Sequence, residues 1–315
     1  MNDRSPERPL TLSIAAVERD TGLSKDTLRV WERRYGFPQP GRDPLGERAY
    51  PLEQVEKLRV LKRLLDAGHR PGRLVPMPIG DLQRLADSTV GSPQRLAAGA
   101  VPSPDLRAFV ELIREHDVEG LRRQLSQVQA RMGLGRFVVE VVSPLNTLVG
   151  DAWMRGQLEI FEEHLYTESV AVVLRNAIYS VPPGGPEGAP RVLLTTFPGE
   201  PHGLGLLMAE AVFALEGFRC LSLGVQTPVW DIVLAAAAHR ADIVALSFTG
   251  CTNPNQVVTG LDELSAKLRQ RGLVAEVWAG GSAPVLRRRP VDGVRVFASL
   301  AELPEALRAW QAARA

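Results

Sequence analysis

The sequence predicts an α and α/β protein built from a winged helix-turn-helix, a four-helix bundle and a Rossmann/flavodoxin-like five-stranded parallel sheet. Three observations point there. A short basic helical segment opens the chain, and four blocks of apolar residues at helical spacing follow it. The last third then alternates β-branched runs with helical stretches. The boundaries read as a basic domain over residues 1–78, a linker over 79–104, the bundle over 105–182 and the sheet domain over 188–315.

Composition narrows the class. A chain of 315 residues, 45% hydrophobic and 23% charged, suits two or three soluble domains. Net charge is only +1, but residues 1–75 hold fifteen Arg/Lys against eleven Asp/Glu, a net of +4, and the remainder is slightly acidic. The polar start "MNDRSPERP" and the lack of a long apolar run argue against a signal peptide or a membrane partner. A cytoplasmic location is therefore expected. The two cysteines, Cys220 and Cys251, fall in regular-looking segments and read as buried, reduced thiols.

In the basic segment, "LSIAAVERDTGLSKDTLRVWERRYG" holds two short helices joined by "TGLS". Gly22 can take the left-handed position that ends the first, and Ser24 can cap the second. In such a unit the second helix enters the major groove of DNA. Its Lys25, Thr27, Arg29, Arg33 and Arg34 would supply donors to phosphates and bases. The turn-rich "FPQPGRDPLGERAYP" carries Arg42 and Arg48 and would form a wing, with the helix "LEQVEKLRVLKRLLDAGH" packed behind it. On charge alone these could be only the solvated faces of a small helical domain.

The pattern "TLRVWERRYGF", then "GERAY", then "VEKLRVLKRLLDAG" resembles the MerR family of winged-helix transcription regulators. By that resemblance Trp31, Glu32 and Arg33 belong to the helix-two motif, Arg48 and Tyr50 to the wing, and the partner is a double-stranded operator. One departure stands out. MerR regulators dimerise through a long helix directly after this domain, but Pro71, Pro76 and Pro78 forbid a continuous helix there. Homo-oligomerisation, as dimer or tetramer, is therefore expected of the C-terminal parts.

The four helical blocks are "PDLRAFVELIREH", "DVEGLRRQLSQVQARMG", "GRFVVEVVSPLNTLVGDAWMRG" and "EIFEEHLYTESVAVVLRNAIYS". Short connections between them predict an antiparallel bundle. After "VPPGGPEGAP" come the strands "RVLLTTF", "RCLSLG", "DIVALSFTG", "AEVWAGG" and "VRVFAS", with helices between them. Right-handed crossovers make such a sheet parallel.

Ligands of doubly wound sheets bind outside the carboxyl ends of the strands. There the first strand leads into "TTFPGEPHGLG". His202 could bind a metal through one nitrogen while Glu200 holds the other, and Gly203 and Gly205 would let a large flat ligand approach the backbone. Ser247 and Thr249 end the third strand, and Gly280 and Gly281 end the fourth. A zinc site is a poor rival, because the other histidines are scattered and no CxxC or HExxH occurs. A nicotinamide site is poorer still, since no GxGxxG follows the first strand.

This set resembles the cobalamin-binding domains of methionine synthase and the corrinoid mutases, with Glu200 in place of the usual Asp. The resemblance makes His202 the lower axial ligand of cobalt, and lays the displaced dimethylbenzimidazole tail between Ser247/Thr249 and Gly280-Gly281. In the bundle, the spacing Trp153-x9-Glu163-His164 resembles the CarH/LitR group of photoreceptor regulators. It implies adenosylcobalamin (methylcobalamin being the other form) with Trp153 over the adenosyl group and Glu163 and His164 around it. It also implies a dark tetramer that represses its operator and falls apart in light. A second departure follows: Met154 stands where the best-known members have a cobalt-capturing histidine, and a thioether is a poorer partner for Co(III) than imidazole. The readings left open are therefore a light-responsive cobalamin-dependent repressor, a light-independent cobalamin-responsive regulator, a corrinoid methyl carrier or enzyme component, and an oligomerisation module with an empty slot.

Overall fold

The computed structural model describes residues 11–43, 46–66, 69–89, 105–182 and 189–314. Part of the expected linker (90–104) and most of "VPPGGPEGAP" (183–188) lie outside them, as does the "MNDRSPERP" start. The chain divides into two compact units. One runs to Leu96 and also takes in Met154–Gln157; the other covers the rest.

The first unit begins with strand β1 (Thr11–Ser13) and helix α1 (Ile14–Thr21). Ser13 caps α1, and Gly22, at φ 70°, closes it. Helix α2 (Lys25–Tyr35) starts on the Ser24 hydroxyl, which accepts from the Thr27 amide at 3.1 Å. Strands β2 (Gly41–Arg42) and β3 (Arg48–Pro51) form the expected wing, but β1 joins them in an antiparallel sheet of order β1-β3-β2. A three-residue strand carries too little periodicity to be read in advance. Helix α3 (Leu52–Asp66) packs behind, followed by α4 (Pro71–Leu74) and α5 (Ile79–Thr89). Leu82 of α5 is fully buried in this unit's core, so the stretch expected to open the linker instead belongs to the fold. That core also holds Val17, Leu28, Leu58, Leu61 and Leu74. Arg59 braces α3 to α1 through a two-pronged pair with Asp20 at 2.8 and 2.9 Å.

The second unit opens with α6 (Leu106–Arg114) and α7 (Val118–Met132), capped by Asp105 and Asp117. The third block is composite: α8 (Leu134–Arg136), a π-helical stretch Phe137–Val142, then α9 (Ser143–Met154). Pro144 supplies a reason, because its ring and missing N–H disfavour a tight α-turn just before it. Helix α10 (Ile160–Tyr179) starts with a reciprocal capping box between Glu159 and Glu162.

Strands β4 (Arg191–Thr195), β5 (Arg219–Ser222), β6 (Ile243–Phe248), β7 (Glu276–Gly281) and β8 (Val294–Phe297) form one parallel sheet in the order β5-β4-β6-β7-β8. Helices α11 (Leu204–Leu215), α12 (Val229–His239), α13 (Pro254–Gln270), α14 (Val285–Arg288) and α15 (Leu303–Ala312) connect and flank them. Successive strand residues face opposite sides. Val192 and Leu194 join a core with α11, α15 and the whole bundle, whereas Leu193 joins a second core with α12, α13 and α14. The bundle therefore shares one continuous apolar interior with the sheet. Among the described residues, no helix is long and apolar enough to cross a membrane.

Candidate functional site

Strand β4 starts the sheet domain, with β5 on one side and β6 on the other, so the chain reverses direction across the sheet between β4 and β6. That switch point opens a crevice at the strands' carboxyl ends. The loop after β4 and the turn after β6 meet over it, joined by one side chain. Glu200 is fully buried. Its Oε1 accepts from His202 Nδ1 at 2.6 Å and from the His202 amide at 3.1 Å. Its Oε2 accepts from the Thr249 amide at 2.6 Å, from Thr249 Oγ1 at 2.7 Å, and from the Thr252 hydroxyl. Burial alone would raise this carboxyl's pKa, yet the bonds from His202, Thr252 and Thr249 outweigh it and hold it down at about 2.

An ionised carboxylate on Nδ1 fixes the imidazole's tautomer and orientation and raises its basicity. A metal at this ring would bind through Nε2, on the far side from Glu200. The His202 side chain is about half exposed, at 49%. Among the described residues, no three of His, Cys, Asp and Glu gather into a metal cluster.

The wall of the crevice is set by glycine. A Cβ on Gly205, in the first turn of α11, would lie 2.8 Å from Ser247 Oγ, and one on Gly203 would lie 3.2 Å from Val225 Cγ1. Ser247 pairs with Gly280, and Phe248 with Gly281, across β6 and β7. Gly281 has φ +112°, and any Cβ there would sit 2.1 Å from the Phe248 carbonyl oxygen, so only glycine fits. Glu200, His202, Gly203, Gly205, Ser247, Thr249, Gly280 and Gly281 thus fall on neighbouring strand ends. Sequence reasoning missed Thr252. The signal was present as a second threonine three residues after Thr249, a spacing that the turn bond from the Thr252 amide to the Thr249 carbonyl closes at 3.3 Å. It also missed Thr196, whose hydroxyl donates to the Glu200 carbonyl at 2.6 Å and so fixes the loop.

In the bundle, Trp153 lies near the end of α9, partly buried against the shared core, and Met154 is the helix's last residue. His164 Nδ1 bonds Glu163 Oε2 at 2.6 Å, and Thr167 Oγ1 donates to Glu163 Oε1 at 2.7 Å. Tyr166, fully buried, donates its hydroxyl to Asn146, whose Nδ2 lies 3.2 Å from Met208 Sδ on α11. That chain of contacts ties the bundle to the helix that begins at the His202 loop.

The N-terminal donors divide. Arg29, Arg33, Arg34 and Arg42 are exposed, and Lys25 and Thr27 partly so. Arg29 pairs with Asp26 at 3.2 Å, Lys25 with Glu18 at 3.5 Å, and Arg42 donates to the Gly46 carbonyl at 2.6 Å. Trp31 and Tyr50 were expected at the DNA, but both are core residues, 5% and 0% exposed. A domain this small has few large apolar side chains and spends its aromatic ones inside. Arg48 is drawn inward too, onto Glu32. Of the cysteines, Cys220 is partly buried and burial pushes its thiol up to about 12. Cys251 is exposed, contrary to expectation, because it stands in the turn after β6 rather than in the strand.

Comparison with known proteins bears on these sites. Residues 12–74 match the model for the MerR HTH family regulatory protein, and residues 106–176 and 190–308 match two B12 binding domain models. The chain is 32% identical over 288 residues to the HTH-type transcriptional repressor CarH of Myxococcus xanthus, covering 88% of this chain and 90% of that protein. It is 29% identical to the repressor CarA of the same organism, over 81% and 82% of the two chains. The monomethylamine corrinoid protein of Methanosarcina barkeri shares the fold of the C-terminal unit, with a TM-score of 0.50 at 17% identity over 64% of this chain and 96% of that one. The winged-helix and cobalamin-domain matches and the similarity along nearly the full length agree, and the chain belongs to the CarH-type family of cobalamin-binding MerR transcription regulators.

Proposed function

We propose that this regulator is a light-responsive repressor that takes adenosylcobalamin, with methylcobalamin the lesser candidate. The observation that carries the cofactor's placement is the Glu200–His202 pair at the switch point, beside strand ends where Gly203, Gly205 and Gly281 bring backbone and neighbouring groups close together. One imidazole backed by a buried, ionised carboxylate fits cobalt, which asks the protein for one lower ligand rather than a cage. His202 holds the metal, Ser247 and Thr249 line one side of the tail's slot and Gly280-Gly281 the other. Trp153, Glu163 and His164 of the bundle would line the pocket for the cofactor's adenosyl group. Bound there, adenosylcobalamin supplies a cobalt–carbon bond that green light cleaves.

On the DNA side, Lys25, Thr27, Arg29, Arg33, Arg34 and Arg42 are the donors to a double-stranded operator. The C-terminal unit brings copies together as a dimer or tetramer, because Pro71, Pro76 and Pro78 break a continuous helix directly after the winged helix. Both relatives carry the word repressor in their names, which favours that sign of regulation.

Met154 favours a second reading, in which cobalamin occupancy rather than light sets assembly. One experiment separates the two. Adenosylcobalamin is added in the dark, the visible spectrum is recorded, and size-exclusion chromatography is run before and after green light. A corrinoid spectrum with a light-dependent fall in mass supports the first reading. A corrinoid spectrum with unchanged mass transfers support to the second, and no bound corrinoid overturns both.

A further inference from the structure

We propose that Glu32 is a positioning residue for DNA binding, clamping Arg48 so that the wing and the recognition helix meet a duplex as one rigid surface. The inference rests on the reading of the first unit as a DNA binder. Glu32 lies on α2, and Arg48 opens β3. Arg48 Nε donates to Glu32 Oε2 at 3.0 Å, and a terminal guanidinium nitrogen approaches Oε1 at 3.5 Å. Both side chains are less than a third exposed, at 29% and 30%, so the pair is more shielded than an ordinary surface bridge.

Three further observations give the pair a task. Arg48 shares a face of β3 with Tyr50 two residues on, and Tyr50 is fully buried, so that face is the inward one. An arginine there is aimed at the helix, not spread over the free surface. The wing gains from such a hold, because its outer strand β2 is two residues long, paired with β3 at Gly41–Ala49 and Arg42–Arg48. Finally, an acid on a helix that reads DNA faces phosphates of its own sign, an arrangement that weakens binding unless the acid does something else. Here it neutralises, and holds, the arginine of the neighbouring element. Phosphate contacts set a protein's register on the duplex, and this pair fixes the distance between the wing's contacts and those of α2.

The test uses opposite signs. The full chain, incubated with adenosylcobalamin in the dark, is assayed by fluorescence anisotropy on a duplex that the unaltered protein selects from a random-sequence pool under the same conditions. Glu32→Gln removes a negative charge, so on electrostatics alone affinity should rise. Positioning predicts a fall of about tenfold, with the salt dependence shallower by roughly one phosphate contact. In an Arg48→Ala background the same change should have no further effect, because Glu32 acts through Arg48. Equal or tighter binding by Glu32→Gln, or an effect that persists without Arg48, overturns the inference. Arg48→Lys covers the case in which Glu32→Gln folds poorly. It keeps the charge but not the two-pronged contact, so weakened binding with an unchanged melting temperature supports the clamp, and full affinity overturns it. If the unaltered protein selects no duplex, the DNA-binding reading falls, and this inference with it.

Discussion

In the sheet domain, the residues marked out by motif stand at strand ends around a crevice: Glu200, His202, Thr249 and the glycines beside Ser247. In the N-terminal unit, two residues marked out in the same way, Trp31 and Tyr50, are inside the core. The difference lies in what each region can spare. The sheet domain has two apolar interiors filled by strands and helices, so its loops are free to hold polar and glycine residues for a ligand. The winged helix has one small interior and fills it with the aromatic residues of its own motif. A residue type that recurs at a functional position can thus serve chemistry in one region and packing in another, and burial separates the two.

Mutations can sharpen or break this contrast, and the largest effect should come from the core. Trp31→Ala should cost about 3–5 kcal/mol of stability, read from denaturant unfolding of the N-terminal unit. A loss of DNA affinity with normal stability would return Trp31 to the interface. Next, His202→Ala should lower cobalamin affinity by roughly 100-fold or more and erase the imidazole signature from the visible spectrum. An unchanged spectrum would remove His202 as the ligand. Glu200→Gln should cost about 10–100-fold in the same titration, because the carboxylate that orients the ring is lost. Smallest, Arg33→Ala should weaken operator binding by about 1–3 kcal/mol while leaving the melting temperature alone, the reverse of the Trp31 pattern. Unchanged gel-shift affinity would take Arg33 out of the interface.

Much of this was legible in advance, for identifiable reasons. Long periodic segments such as α7, α10 and α13, and the strands β4 and β6, repeat their signal often enough to be read. Caps such as Ser24 and Gly22 mark ends by local chemistry alone. What escaped depends on contacts distant in sequence. β1 is a strand only because β3 lies beside it, and α5 is part of the fold because Leu82 finds the first unit's core. Thr252 matters only through Glu200, 52 positions earlier in the chain. At the candidate site, the glycines and the histidine could be named from their order. That Glu200 would be fully buried, and held by five donor groups at once, required the folded chain.

The bundle and one face of the sheet bury the same apolar interior, with Phe109, Phe137 and Tyr166 in one cluster with Val192, Phe213 and Trp278. In packing they are one object. Expressed apart, each half would display a raw hydrophobic wall and aggregate. A covering of this kind cannot swing off like a door without opening the protein's own interior to water. Movement of one against the other must therefore take the form of small shifts along helices that stay packed.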